Sequence, residues 1–253
     1  LAPAARPRRR FGAIFSPGAG TGSEAGAAKS AQTAKVIAAS QEQKDYKEQI
    51  KNIYILSSLF AARLEQDKSV AHGTRRNPMI STIVLSPSLR AGRPVERAPE
   101  AVARSLAALV RAAMDGFVRD VAIVGPPGEE LAELADHAGC AFIEAASAQE
   151  GLHIAIGQTR AETLLVLEGG YAPQNGFADE AGDLLLAQEA FRGALLKLAP
   201  DSLATRLAPA LSQPVGALVL RQAAAAAAPQ DLADLIRRLK IRRALNVRAQ
   251  KLI

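Results

Sequence analysis

The chain has 253 residues, enough for one α/β domain with an extension or for two small domains. Its apolar fraction of 49% can fill a core, but aromatics at 4% leave few rings on which bases could stack. The net charge of +6 is unevenly spread: residues 1–78 hold 13 Lys+Arg and 6 Asp+Glu, whereas residues 79–253 sum to −1, which excludes a nucleic-acid reading of the globular part.

Residues 1–78 read as an extension. Arg8-Arg9-Arg10 leads into an Ala/Gly/Ser-rich tract of low hydrophobicity with no lasting period, so disorder is the expectation. An Arg-rich, acid-poor start also suits a targeting peptide, although an apolar stretch with a cleavage site is not visible there. Between residues 41 and 68, Tyr46, Ile50, Ile53, Phe60 and Leu64 fall on one face and predict a helix. One amphipathic helix is equally compatible with docking on the domain and with binding a partner or an interface. Residues 72–78, HGTRRNP, make a linker by composition.

From Met79 the pattern changes, and residues 79–253 are expected to form the functional domain. Ile80–Leu85 is rich in β-branched residues and predicts a strand, broken by Ser86-Pro87-Ser88. A polar loop with Gly92 and Pro94 leads to a helix over 99–114, whose Leu106, Leu109, Val110 and Ala113 make an apolar stripe. Val121–Val124 is a short unbroken apolar run, suited to a strand covered on both faces. Gly125-Pro126-Pro127-Gly128 ends it, and Glu129-Glu130 place negative charge on the first turn of the next helix.

A strand at 141–143, a helix at 150–159 and a buried strand at 163–167 follow. The last runs into Glu168-Gly169-Gly170-Tyr171. Helices are then predicted at 178–198 and 203–211, an apolar run at 216–220, and a basic helix at 231–243. That helix ends in Arg237, Arg238, Lys240, Arg242 and Arg243. Basic residues suit a helix C-terminus, and they also suit contact with phosphates or an anionic membrane surface.

Strands alternating with helices predict an α/β domain: a mostly parallel open sheet flanked by helices, Rossmann-like in layout. Cys140 has no partner cysteine and reads as a structural thiol. His72, His137 and His153 lack ligand spacing. No run reaches the roughly 18 apolar residues of a membrane span, so a cytoplasmic protein is expected, with peripheral membrane contact through the basic helix as a further option.

Three segments carry a resemblance to a known family: SLAALVRAAMDGFVRDVAIVG, ELADHAGCAFIEA and TLLVLEGGYAPQNGF, supported by the tail QDLADLIRRLKIRR. Together they resemble family-two glycosyltransferases of the GT-A fold, closest to a compact bacterial branch, over most of residues 80–243. The resemblance implies transfer of a sugar from a nucleotide-diphosphate donor to an unknown acceptor. It places the nucleotide at Pro87, Ser88, Gly125, Pro126 and Pro127, and the sugar or acceptor near Gly170 and Tyr171. It also implies Mg²⁺ or Mn²⁺ at the turn after the fourth strand, held by Glu168.

This sequence departs from the family at three places. The second strand runs into Gly125-Pro126-Pro127-Gly128 without the family's Asp, and the Asp-x-Asp turn is Glu168-Gly169-Gly170. The region matching the family's general base, Ser212-Gln213-Pro214-Val215-Gly216-Ala217, has no acid. Asp179, Glu180 and Asp183 follow the turn, either approaching the site or lying on an exposed helix face. An inactive nucleotide-sugar-binding or regulatory module of the same fold is therefore the alternative reading.

Overall fold

The computed structural model describes Ser58 and residues 78–128, 130–187, 191–200 and 212–252. The extension, its helix apart from Ser58, the helix expected at 203–211 and Glu129 lie outside the described residues.

Six strands form one sheet: β1 (Ile80–Leu85), β2 (Val118–Gly125), β3 (Ala141–Glu144), β4 (Thr163–Glu168), β6 (Ala194–Lys197) and β7 (Pro214–Leu220), in the order β3-β2-β1-β4-β7-β6. The first four are parallel; β7 runs antiparallel to β4, and β6 antiparallel to β7. A two-stranded ribbon pairs β5 (Tyr171–Pro173) with β8 (Ala249–Lys251). The helices are α1 (Pro87–Ala91), α2 (Ala98–Met114), α3 (Leu131–Ala138), α4 (Ala148–Gln158), α5 (Phe177–Leu186), α6 (Arg221–Ala227) and α7 (Leu232–Arg238).

The two faces of the sheet explain its near-continuous apolar strands. Val84, Ile123, Leu165 and Leu167 pack with Val102, Leu106, Leu131 and Phe177 from α2, α3 and α5 on one side. Their neighbours Ile83, Ala122, Val124, Leu164 and Val166 pack with Leu152, Ile156, Ala224 and Leu235 from α4, α6 and α7 on the other. Period-two alternation thus supplies two cores from the same strands.

Local chemistry sets the ends of these elements. Ser147 caps α4, its hydroxyl accepting from Glu150 N at 3.2 Å, and Asp231 caps α7, accepting from Asp234 N at 2.6 Å.

Two expectations change. The helix expected over 178–198 stops at Leu186, and Ala194–Lys197 is an edge strand on β7. Leu-rich sequence favours helix locally, but the backbone groups of β7 and the apolar face beneath it reward pairing instead. The basic helix expected over 231–243 ends at Arg238, since Lys240 takes φ 52°, outside helical space. Arg237 and Arg238 turn back onto the buried Asp234, at 2.5 and 2.6 Å. No helix among the described residues is long and apolar enough to cross a membrane.

At the opposite, N-terminal end of the parallel strands, Ser81 of β1 stands in register with Asp120 of β2. Burial pushes the Asp120 carboxyl above its ordinary value, against the Ser81 hydrogen bond and the charges of Arg119 and Arg160. Its Oδ2 has no partner among the described residues. Cys140 lies near enough for the Asp120 charge to act on it, and burial first, then that charge, pushes the thiol up to about 12. A thiol held protonated is unreactive, as a packing role requires.

A raised folded-state pKa means that the protonated carboxyl favours folding. That contribution is complete below the unfolded value and is lost as pH rises through the folded one. The Asp120→Asn variant should therefore match the parent in urea midpoint at pH 3, below the unfolded value, and exceed it at pH 7. Equal midpoints at both pH values would contradict burial as the cause.

Candidate active site

The chain leaves β1 for β2 on one side and returns to β4 on the other, so β1 and β4 meet at the point where the strand order reverses. Loops leaving two such strands in different directions open a crevice at their C-terminal ends. A cleft of about 940 Å³ lies there, lined by the tips of β1 and β4 and by parts of α1, α2, α7 and β8.

Glycine makes the floor of the cleft possible. Gly169 N donates to Leu85 O at 2.8 Å, and Gly170 N donates to Ala101 O at 3.1 Å and to Ser105 Oγ at 2.9 Å. A Cβ on Gly169 would sit 3.0 Å from both Leu85 O and Val102 Cγ2, and Gly170 holds φ +90°. The turn after β4 is thereby sewn flat against β1 and α2. Leu252 N closes it from above by donating to Gly170 O at 2.8 Å.

The cleft is strongly polar at its centre. Glu168, with a side chain only 15% exposed, pairs with Arg90 of α1, which is 54% exposed. Gln213, with its amide presenting oxygen, accepts from Arg90 Nη1 at 3.0 Å and also from Nη2. Burial pushes the Glu168 carboxyl up, Arg90 pulls it down, and the negative charge of Asp231 pushes it up again. Asp231 is thus a second carboxylate of the same cleft, exposed at the start of α7. Arg97 just before α2, Glu100 and Arg104 of α2, and Lys251 of β8 also line the cleft. The Nε of Arg104 is buried and has no acceptor among the described residues.

Of the residues that the sequence singled out, Pro87, Glu168, Gly170 and Tyr171 line this cleft. Ser88 is buried, its hydroxyl accepting from Val95 N at 2.9 Å to close the loop after α1. Gly125, Pro126 and Pro127 do not line it: they lie at the tip of β2, across β1 from β4, where Gly125 O accepts from Ala145 N at 2.9 Å. Glu180 is occupied elsewhere, accepting from Asn246 N and Nδ2 and from Val247 N at 2.7–2.8 Å. Asp179 and Asp183 are exposed and lie outside the cleft.

Sequence reasoning passed over Arg90, Gln213 and Asp231. Asp231 did carry a signal, an Asp three residues before another at the start of an apolar stripe. That pattern reads first as a cap, and a cap is also what it is.

A divalent cation at the turn does not suit these residues. Mg²⁺ at a diphosphate is usually held by one or two free carboxylates, with waters and phosphate oxygens completing its octahedron, and Mn²⁺ favours a similar oxygen set. Here Glu168 is neutralised by Arg90, and Gly170, at the place of the second acid, offers no side chain. Among the described residues no three acidic, His or Cys side chains gather as a metal set.

No protein-family model matches the chain, and no curated protein matches it. Among solved structures, it is similar to the mannosyltransferase PcManGT from Pyrobaculum calidifontis, in complex with GDP-Man and Mn²⁺. Identity there is 13%, coverage 80% of this chain and 69% of that one, and the TM-score 0.51. Less similar are glucosyl-3-phosphoglycerate synthase from Mycobacterium tuberculosis (16%, 66% and 67% covered, TM-score 0.44) and 4-diphosphocytidyl-2C-methyl-D-erythritol synthase from Anaerococcus prevotii (10%, 68% and 88% covered, TM-score 0.46). Together with the strand order, the likeness to the mannosyltransferase identifies the architecture: this chain has the α/β fold of the GT-A glycosyltransferases.

Proposed function

We propose that the chain is a glycosyltransferase that binds a nucleotide-diphosphate sugar in the cleft between β1 and β4 and passes the sugar to an acceptor hydroxyl. The observation that carries this reading is the cleft itself. It has the volume of a small-ligand site, opens at the strand-order reversal, and sets guanidinium groups beside an exposed carboxylate.

In the reaction, the bond from the anomeric carbon to the diphosphate oxygen breaks and its electron pair leaves with the diphosphate. The acceptor oxygen forms the new bond to that carbon, and its proton passes to a base. Asp231 is the assigned base: Oδ1 is engaged by the Asp234 N–H, and Oδ2 remains to take the proton. Tyr171, half-buried in the cleft lining, is assigned to the face of the sugar. Residues 1–78 are assigned as an appendage to the domain 79–253. The turn from Glu168 to Gly170, with its acid tied to Arg90, favours as second reading a nucleotide-sugar-binding module without turnover.

Thermal unfolding with UDP- and GDP-sugars tests binding. At a donor concentration 100 times its Kd, stabilisation should reach roughly 2.7 kcal/mol, a shift of several degrees for a domain of this size. Release of UDP or GDP on adding acceptor hydroxyls would separate transferase from module. No shift with any donor would remove both readings.

A further inference from the structure

We infer that the diphosphate is neutralised by arginine, with Arg90 standing where GT-A enzymes of the Asp-x-Asp type hold a divalent cation; this rests on the reading that the cleft takes a nucleotide-diphosphate donor.

Three independent features of the cleft support it. The first is the state of Glu168. A carboxylate serving as a metal ligand must present its oxygens to the ion, but this one is 15% exposed and takes its charge balance from a guanidinium. Glu168 and the Gln213 amide oxygen together grip Arg90 from two sides. A guanidinium has five N–H donors, so this grip fixes the plane of the group and still leaves donors for phosphate oxygens. Glu168 is therefore a positioning residue: it aims Arg90.

The second feature is the backbone of the turn. Gly170 holds φ +90°, its N–H is spent on Ala101 O and Ser105 Oγ, and its carbonyl accepts from Leu252 N. An acid there would need a left-handed backbone that L side chains rarely adopt. The second metal-binding side chain is thus missing from a turn whose geometry disfavours one.

The third is Arg104. The residue lines the cleft, and its Nε is buried with no acceptor among the described residues. Buried donors almost always have partners, so an orphan donor on a residue that lines a ligand cleft is matched by an anion bound there. In place of one Mn²⁺, Arg90 and Arg104 stand with Arg97 and Lys251 as four cations of the cleft, against the carboxylates Glu100, Glu168 and Asp231. Unlike the ion, arginines bind phosphate through paired, directional hydrogen bonds. When the sugar leaves, charge grows on the diphosphate, and these preorganised donors stabilise it without an ion.

Calorimetric titration of the full chain with UDP and with GDP, in EDTA and in excess MnCl₂, tests the inference. At least one nucleotide should bind in EDTA, with a Kd within about threefold of that in Mn²⁺, a difference too small for a lost ion contact. Arg90→Ala should weaken that binding in EDTA by roughly tenfold or more, the loss expected for a charge-assisted contact, and Arg90→Lys should recover part of it. Arg104→Gln, at a second position, should weaken it in the same direction. Binding that appears only with Mn²⁺, or Arg90→Ala and Arg104→Gln variants that bind in EDTA as tightly as the parent, would overturn the inference and leave the donor site standing. Absence of binding by either nucleotide in both buffers would overturn the donor reading as well.

Discussion

Asp231→Asn should lower sugar transfer by roughly two to four orders of magnitude while leaving donor affinity close to the parent's, because general-base contributions are of that size. The choice of Asn matters. Asp231 caps α7 through Oδ1, and replacing a capping Asp by Ala costs about 1 kcal/mol of stability, which would blur the result. Asn caps a helix about as well as Asp and cannot take the proton. It also removes a negative charge beside Glu168, and any effect of that change should appear in donor binding. A large loss in kcat with an unchanged melting temperature therefore identifies the base. An Asp231→Asn variant that turns over at the parent's rate would move the base elsewhere, with Glu100 the remaining carboxylate of the cleft to test.

Gly151→Val should destabilise the domain by about 3 kcal/mol, lowering its melting temperature by roughly 10 °C. Gly151 is in the first turn of α4 and faces β2. A Cβ built on it would stand 2.0 Å from Val124 Cγ1 and 3.1 Å from Ala145 Cβ. Val124 is fully buried and β-branched, so it has no alternative rotamer into open space. Even Gly151→Ala sets two effects against each other. Helix propensity favours Ala by roughly 1 kcal/mol, whereas overpacking of this kind costs about 1–3 kcal/mol or more. The clash should win, and α4 must then move away from the sheet. Ser147, Ala148 and Gln149 at its start line the cleft, so donor binding should weaken along with stability. A Gly151→Val variant that melts within about 2 °C of the parent would contradict this packing.

Both results depend on positions whose importance has different visibility in the chain. Gly151 follows Glu150 in what reads as an ordinary amphipathic helix, and nothing local marks it as a contact point. Asp231 reads as a helix start, and only its place in the cleft with Glu168 suggests the role proposed for it. Arg90 is more hidden still, an exposed side chain in a polar loop until Glu168, 78 positions away, comes to meet it.

The alternation of apolar runs with amphipathic stripes was enough, unaided, to determine the α/β class, the first four strands and the glycine turn after β4. Those features are local: burial on two faces demands unbroken apolar strands, and a close backbone approach demands glycine. The segment after α5 needed the tertiary structure, because Ala194–Lys197 becomes a strand only where β7 offers it an edge. The chemistry of the cleft needed it as well. Whether a carboxylate holds a metal or an arginine depends on which charge stands beside it in space, and strands joined by long crossovers bring together groups that no spacing along the chain connects.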